Sequence, residues 1–143
     1  MINSSMPNFG NASIYNNGRF SVGDVVLACV FNPFENRNSK GKYRPFVLVC
    51  RIEGHWRGMG LTTNAHYASG KQRVEIPDPA EVGLNGPGFL WGDQLTNVSA
   101  IDIDRTIGKV TLALAEAVIS LAGLYGPYAA TLRNAAGAQG KAA

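Results

Sequence analysis

Beyond residue 20 the chain falls into short apolar runs separated by polar, turn-rich stretches. The first, "SVGDVVLACVF", is β-branched and continuous after Gly23-Asp24, a pattern that suits a strand buried on both faces. "NPFENRNSKGKY" then carries Asn, Pro, Gly, Ser and Lys at the density of an exposed loop. "RPFVLVCRI" is a second apolar strand, with Pro45 at a first position where no ladder donor is required. Two such strands joined by a flexible loop predict an antiparallel hairpin. "HWRGMGLTT" is a third strand whose glycines predict a bulge or a close backbone approach. After the loop "NAHYASGK", "QRVEIP" alternates polar and apolar as a half-buried strand does, "DPAEVGLNGPG" is a turn-rich connection, and "FLWGDQLTNV" supplies one or two short strands.

Five or so short strands with little helix between them predict a mainly β (α+β) domain built on a small barrel, because closure removes exposed sheet edges. The pattern changes at "DIDRTIGKVTLALAEAVISLAGLYG". There Leu114, Val118, Leu121 and Tyr125 recur at spacings of four, three and four, broken by Glu116, which predicts one amphipathic helix ending near Gly126-Pro127. A shorter helical piece follows at "YAATLRNAA". The domain division expected is a mobile arm over 1–20, a barrel with its C-terminal helix over 21–126, and a short helical or disordered tail over 127–143.

Composition narrows the class. The 143 residues are 45% hydrophobic and 16% charged, enough for one domain with a single core and unlike a disordered chain. The apolar stretch Val110 to Tyr125 is interrupted by Glu116 and is shorter than the roughly 20 residues a bilayer span needs. The first 20 residues lack the basic and apolar regions of a secretory signal, so a cytoplasmic location with no membrane association is expected. Cys29 and Cys50 lie within apolar runs and read as reduced core residues.

Net charge is only +3, but it is unevenly placed. From Glu35 to Arg73 there are eight Lys/Arg against two acids, whereas Val74 to Asp104 holds six acids and no Lys or Arg. A basic face for an anionic partner is therefore plausible if folding does not interleave the two halves. The loop from Asn32 to Tyr43 sets Arg37, Lys40 and Lys42 among Phe34 and Tyr43, the mixture of cations and π-faces that binds unstacked nucleic acid, and "HWR" adds a second group unless Trp56 is core.

Several of these pieces, in order, resemble the MazF/PemK family of bacterial toxin endoribonucleases: "GDVVLACVFNPF", a basic loop, "GKYRPFVLV", a strand ending in "LTTN", then "FLWGDQLTNVSAIDIDRTIGKVT" and a helix. The resemblance runs from about Val22 to Tyr125. It implies an SH3-like β-barrel with a C-terminal helix, a homodimer, a cognate antitoxin protein as partner, and cofactor-free, metal-independent cleavage of single-stranded RNA. The ribose 2′-hydroxyl would attack the adjacent phosphorus, leaving a 2′,3′-cyclic phosphate and a 5′-hydroxyl. The family's arginine of the Arg-Pro pair falls on Arg44, its threonine on Thr62 with Thr63 beside it, and the acid before the glutamine of "DQ" on Asp93. Two positions depart from the pattern: Gly60-Leu61 stands where many relatives have Pro-x before the threonine, and Trp91 stands where members using the aspartate carry arginine.

The chemistry asks for a base at the 2′-oxygen, a proton for the leaving 5′-oxygen and compensation for charge on the phosphoryl oxygens. Arg44 suits the last, since a guanidinium clamps two oxygens and stays cationic. Thr62 can donate or accept one hydrogen bond at the phosphate, and Asp93 can serve as base. His66, four residues past Thr62, joins Arg37, Lys40, Lys42, Tyr43 and Thr63 as a candidate RNA contact. No cluster has metal-ligand spacing, so no metal is expected. Two other readings remain: a relative that poisons gyrase by protein binding through its C-terminal helix, and a non-catalytic RNA-binding module.

Overall fold

The computed structural model describes residues 19–30 and 42–142. Six strands, β1 (Asp24–Val30), β2 (Lys42–Ile52), β3 (His55–Thr62), β4 (Phe89–Leu90), β5 (Thr96–Val98) and β6 (Ile103–Lys109), precede two helices, α1 (Leu112–Ala122) and α2 (Gly126–Ala142). The class is α+β with an antiparallel sheet, in the order β4-β3-β2-β1-β6, and β5 also pairs with β3.

β1 and β2 form the expected hairpin, with Val25 opposite Val47 and Val26 opposite Phe46. Because strand side chains alternate, that register sorts them between two cores. Val25, Val47 and Val49 join Met59, Leu61, Leu114, Val118 and Leu132 beneath the helices. Val26, Ala28, Phe46 and Leu48 join Phe20, Trp56, Val98 and Ile103 on the opposite face. The continuous apolar runs therefore do mark strands buried on both sides. Phe20, which closes the arm read at 1–20, is itself core at 7% exposure; residues 1–18 lie outside the described residues.

β2 and β3 are joined through Glu53 (φ 52°) and Gly54 (φ 81°), with Ile52 opposite His55. Two successive positive φ values match the right-handed twist of the flanking strands, which is why a glycine occupies the second site. The irregularity anticipated in β3 falls between Leu48 and Cys50 of β2, against Gly58 and Arg57.

Three expectations are corrected. Among the described residues the sheet is open, not a closed barrel: β4 and β6 end the ladder without pairing to each other. The gap is covered by the 3-10 turn Pro79–Val82, whose exit crosses β6 so closely that a Cβ on Gly83 would lie 2.1 Å from the Ile107 carbonyl oxygen and one on Gly108 2.2 Å from that of Val82. Backbone touches backbone there, so the edge is shielded by a loop rather than by a ladder. "QRVEIP" is not a continuous strand. It makes two isolated bridges, Gln72 to His66 and Glu75 to Phe89, and its alternation is reversed at the start, with Arg73 buried at 9% and Val74 exposed at 41%. The first helix stops at Gly123, in the left-handed conformation, instead of near Gly126. Thr111 caps its other end, its Oγ1 accepting from the Leu114 N–H at 3.2 Å.

α2 extends well beyond the "YAATLRNAA" piece. The helices are tied by a fork from Arg133 to Glu116, Nε to Oε2 at 2.7 Å and Nη2 to Oε1 at 3.0 Å. At the start of the sheet, Asp24 is buried at 2% exposure; its Oδ2 accepts from the Ser21 N–H and its Oδ1 receives Lys109 Nζ at 2.5 Å. The Gly-Asp of "GDVVL" thus fastens β1 to β6. Among the described residues no helix is long and apolar enough to cross a membrane.

Candidate active site

Arg44 stands on β2 opposite Ala28 and on the same face as Phe46. Pro45 fixes the backbone beside it, and the side chain emerges half-buried into a cleft of about 530 Å³. Phe46, Tyr67, Arg73, Trp91 and Asp93 also line this cleft. The Arg44 guanidinium carbon lies over the Trp91 ring, 5.1 Å from its centroid.

The sequence reading assigned no role to Arg73, yet it is central here. Its carbon lies 4.7 Å from the Trp91 centroid and 4.6 Å from that of Tyr67. Its Nε donates to the Trp91 carbonyl at 3.0 Å, and its Nη1 donates to the Asn64 carbonyl at 2.9 Å. The local backbone explains how it arrives. After β3 the chain makes a small hairpin in which His66 bridges Gln72, Tyr67 N–H donates to Lys71 O, and Arg73 N–H donates to Ala65 O. The hairpin returns Arg73 beside Asn64, and Trp91 is held close by its N–H bond to Gly60 O. An arginine in a polar-apolar alternation reads as outward-facing, so only the hairpin reveals that this one is inward.

The candidates named from sequence divide between two clefts. Arg44 and Asp93 share the first, where Asp93 is exposed and has no hydrogen bond or ion pair with any described residue. Thr62 and Thr63 do not line it. They border a neighbouring cleft of about 570 Å³ with Pro45, Leu84 and Pro87, and Leu61 belongs to both walls. Thr62 Oγ1 accepts from the Asn64 N–H at 3.1 Å, and Asn64 Oδ1 accepts from the His66 N–H at 3.1 Å. The Thr-Thr-Asn sequence therefore builds the turn that starts the hairpin. His66 is exposed on that hairpin, and Tyr43 is 60% exposed on the face of β2 opposite to Arg44. Lys42 opens β2 opposite Val30. Arg37 and Lys40 lie outside the described residues.

Trp56 is core, 2% exposed, with its Nε1–H lacking a partner among the described residues, so the indole of the "HWR" group offers no stacking surface, while His55 is exposed. Cys50 is buried and unbridged; burial pushes its thiol up, against the lowering pull of the Arg57 charge. Among the described residues, no three His, Cys, Asp or Glu side chains come together as a metal site would require.

No family model matches the chain, and no curated protein does. Among solved structures, the toxin MazF-mt6 of Mycobacterium tuberculosis is similar over 72% of this chain and 99% of that one, with 22% sequence identity and a TM-score of 0.47. A likeness of that size carries nothing about chemistry, which must come from the residues of the cleft.

Proposed function

We propose that the protein is a metal-independent endoribonuclease of the MazF/PemK kind, cleaving single-stranded RNA in the cleft between β2 and the segment that precedes β5. The observation that carries this reading is that Arg44 and Asp93 line one cavity together with the half-buried rings of Tyr67 and Trp91. RNA without a duplex offers phosphates for cations and bases for aromatic faces, and the cleft holds both kinds of group.

In the reaction the 2′-oxygen of one ribose bonds to the adjacent phosphorus as the bond from phosphorus to the 5′-oxygen breaks. Asp93, an exposed carboxylate, accepts the proton of the 2′-hydroxyl. Arg44 forks onto the phosphoryl oxygens and offsets the charge that builds there. A guanidinium holds its proton too firmly to act as base, which leaves that task to the carboxylate. The 5′-oxygen takes a proton from water in the open cleft, and the products end in a 2′,3′-cyclic phosphate and a 5′-hydroxyl. Thr62 keeps its own proton while accepting from Asn64, so it can donate to RNA that continues into the neighbouring cleft with Thr63 and His66 beside it. Arg37, Lys40 and Lys42 would contact the strand outside the reacting bond, whereas Tyr43, on the face of β2 opposite to Arg44, would do so only where the strand wraps the sheet edge.

As a toxin of a type II toxin–antitoxin pair, the cytoplasmic homodimer would be held silent by a cognate antitoxin whose acidic segment competes for the same cations. The test is incubation of the purified protein with a long single-stranded RNA in EDTA. Discrete fragments with 5′-hydroxyl ends are expected. Intact RNA would end the nuclease reading, and binding without cutting would mark a non-catalytic module.

A further inference from the structure

Arg73 is a buried cation that no described residue neutralises. It is 9% exposed, and among the described residues no carboxylate lies within ion-pair distance of it. Nε and one hydrogen of Nη1 are taken by the Trp91 and Asn64 carbonyls. Nη2 has no partner among the described residues, yet it is not sealed from solvent as Trp56 Nε1 is. Removing a full charge from water without a counter-charge is costly, and two neutral carbonyls with two π-faces compensate only partly. The cost is recovered when an anion enters. The remaining donors belong to a residue that lines the Arg44 cleft, and the two guanidiniums can be no farther apart than their two distances to the Trp91 centroid combined.

We propose that Arg73 is a second phosphate-binding residue of this cleft, receiving a phosphodiester of the strand whose neighbouring phosphate is held by Arg44. Its fork is set in advance by the two carbonyls, so little side-chain freedom is lost when the oxygens arrive. The guanidinium planes held against Tyr67 and Trp91 favour a nucleic acid over an acidic peptide, because an unpaired base can stack on a guanidinium plane as well as on an aromatic ring. The assignment rests on the nuclease reading for the identity of the strand but not for the anion site itself.

The probe is a mixed-sequence single-stranded oligodeoxynucleotide, which lacks the attacking hydroxyl and so stays intact. For Arg73→Gln, binding should weaken about tenfold or more. The slope of log affinity against log salt should fall by about 0.7, one lost phosphate contact. Arg73→Lys keeps the charge but cannot hold both carbonyls, so it should retain the slope. If both variants keep the wild-type slope, or if Lys loses it with Gln, Arg73 only fastens the cleft walls and the proposal is wrong. Should the Gln variant fail to fold, the guanidinium ¹⁵N–¹H signals of Arg73 in the wild-type protein decide. They must shift as oligonucleotide is added; signals that stay put, or move only with a polyglutamate peptide, overturn the assignment. RNA cutting by wild type with an unchanged Arg73→Gln slope sinks this proposal alone, whereas an Arg73-dependent slope without cutting sinks the nuclease reading alone.

Discussion

Arg44 owes its position to its neighbours in sequence: Pro45 stiffens the backbone, Phe46 anchors the strand in the core, and the charge is left at the mouth of a cleft. If it offsets charge on the phosphoryl oxygens, Arg44→Ala should lower kcat/KM for RNA by about a hundredfold, comparable to the loss of one transition-state donor. Cleavage at the wild-type rate by that variant would remove Arg44 from the mechanism. Cys50 makes a separate statement at this scale. Its thiol is buried and pushed up by desolvation, so less of it is thiolate near neutral pH, and alkylation should be slow in the native protein and rapid in denaturant. Equal rates in both conditions would mean that the interior face of β2 is open.

At the scale of elements, the two helices lie beneath the sheet and are clamped to each other at the surface by Glu116 and Arg133. The bonded Arg133 fork holds the Glu116 carboxyl below its ordinary value of 4.5. A carboxyl depressed in the folded state binds fewer protons there than when unfolded, so its contribution is complete above the ordinary value and disappears as pH falls through the depressed one. The melting temperature of Glu116→Gln should therefore lie below wild type at neutral pH and converge with it in strong acid. A gap that stays constant with pH would show that the ion pair contributes nothing. Both side chains are exposed, so the gap should also narrow in high salt.

For the molecule as a whole, the decisive contact is the crossing of Gly83 and Gly108. It seals the open side of the sheet where a barrel would have paired strands, and it involves main-chain atoms that cannot move aside as a side chain can. Gly108→Ala should lower unfolding free energy by about 3 kcal/mol, the upper part of the range for overpacking, measured by urea titration. An unshifted midpoint would mean that the turn and β6 do not meet. The same crossing fixes the chain that runs from the Pro79–Val82 turn towards Trp91 and Asp93, so cleft geometry should loosen with it.

What the sequence determined by itself was local and periodic. Two-sided burial of β1 and β2, their antiparallel pairing and the first helix follow from runs and spacings within a few residues, whereas Arg44 stood out only through the family resemblance, since a charged residue before such a run is by itself an ordinary strand boundary. The end of that helix was misread because the periodicity at Tyr125 outlasts the left-handed turn at Gly123. The grouping of the cleft was not local. Arg73 is 18 residues from the Trp91 carbonyl that it bonds, and its inward direction depends on a hairpin closed by Ala65, His66 and Gln72. Thr62 and Arg44, joined by the motif, border different clefts, and the Thr62 hydroxyl accepts from the backbone of the turn at Asn64. Only the tertiary structure could decide these points, since they rest on which distant backbone carbonyls face a side chain, and no pattern of hydrophobic and polar residues encodes that.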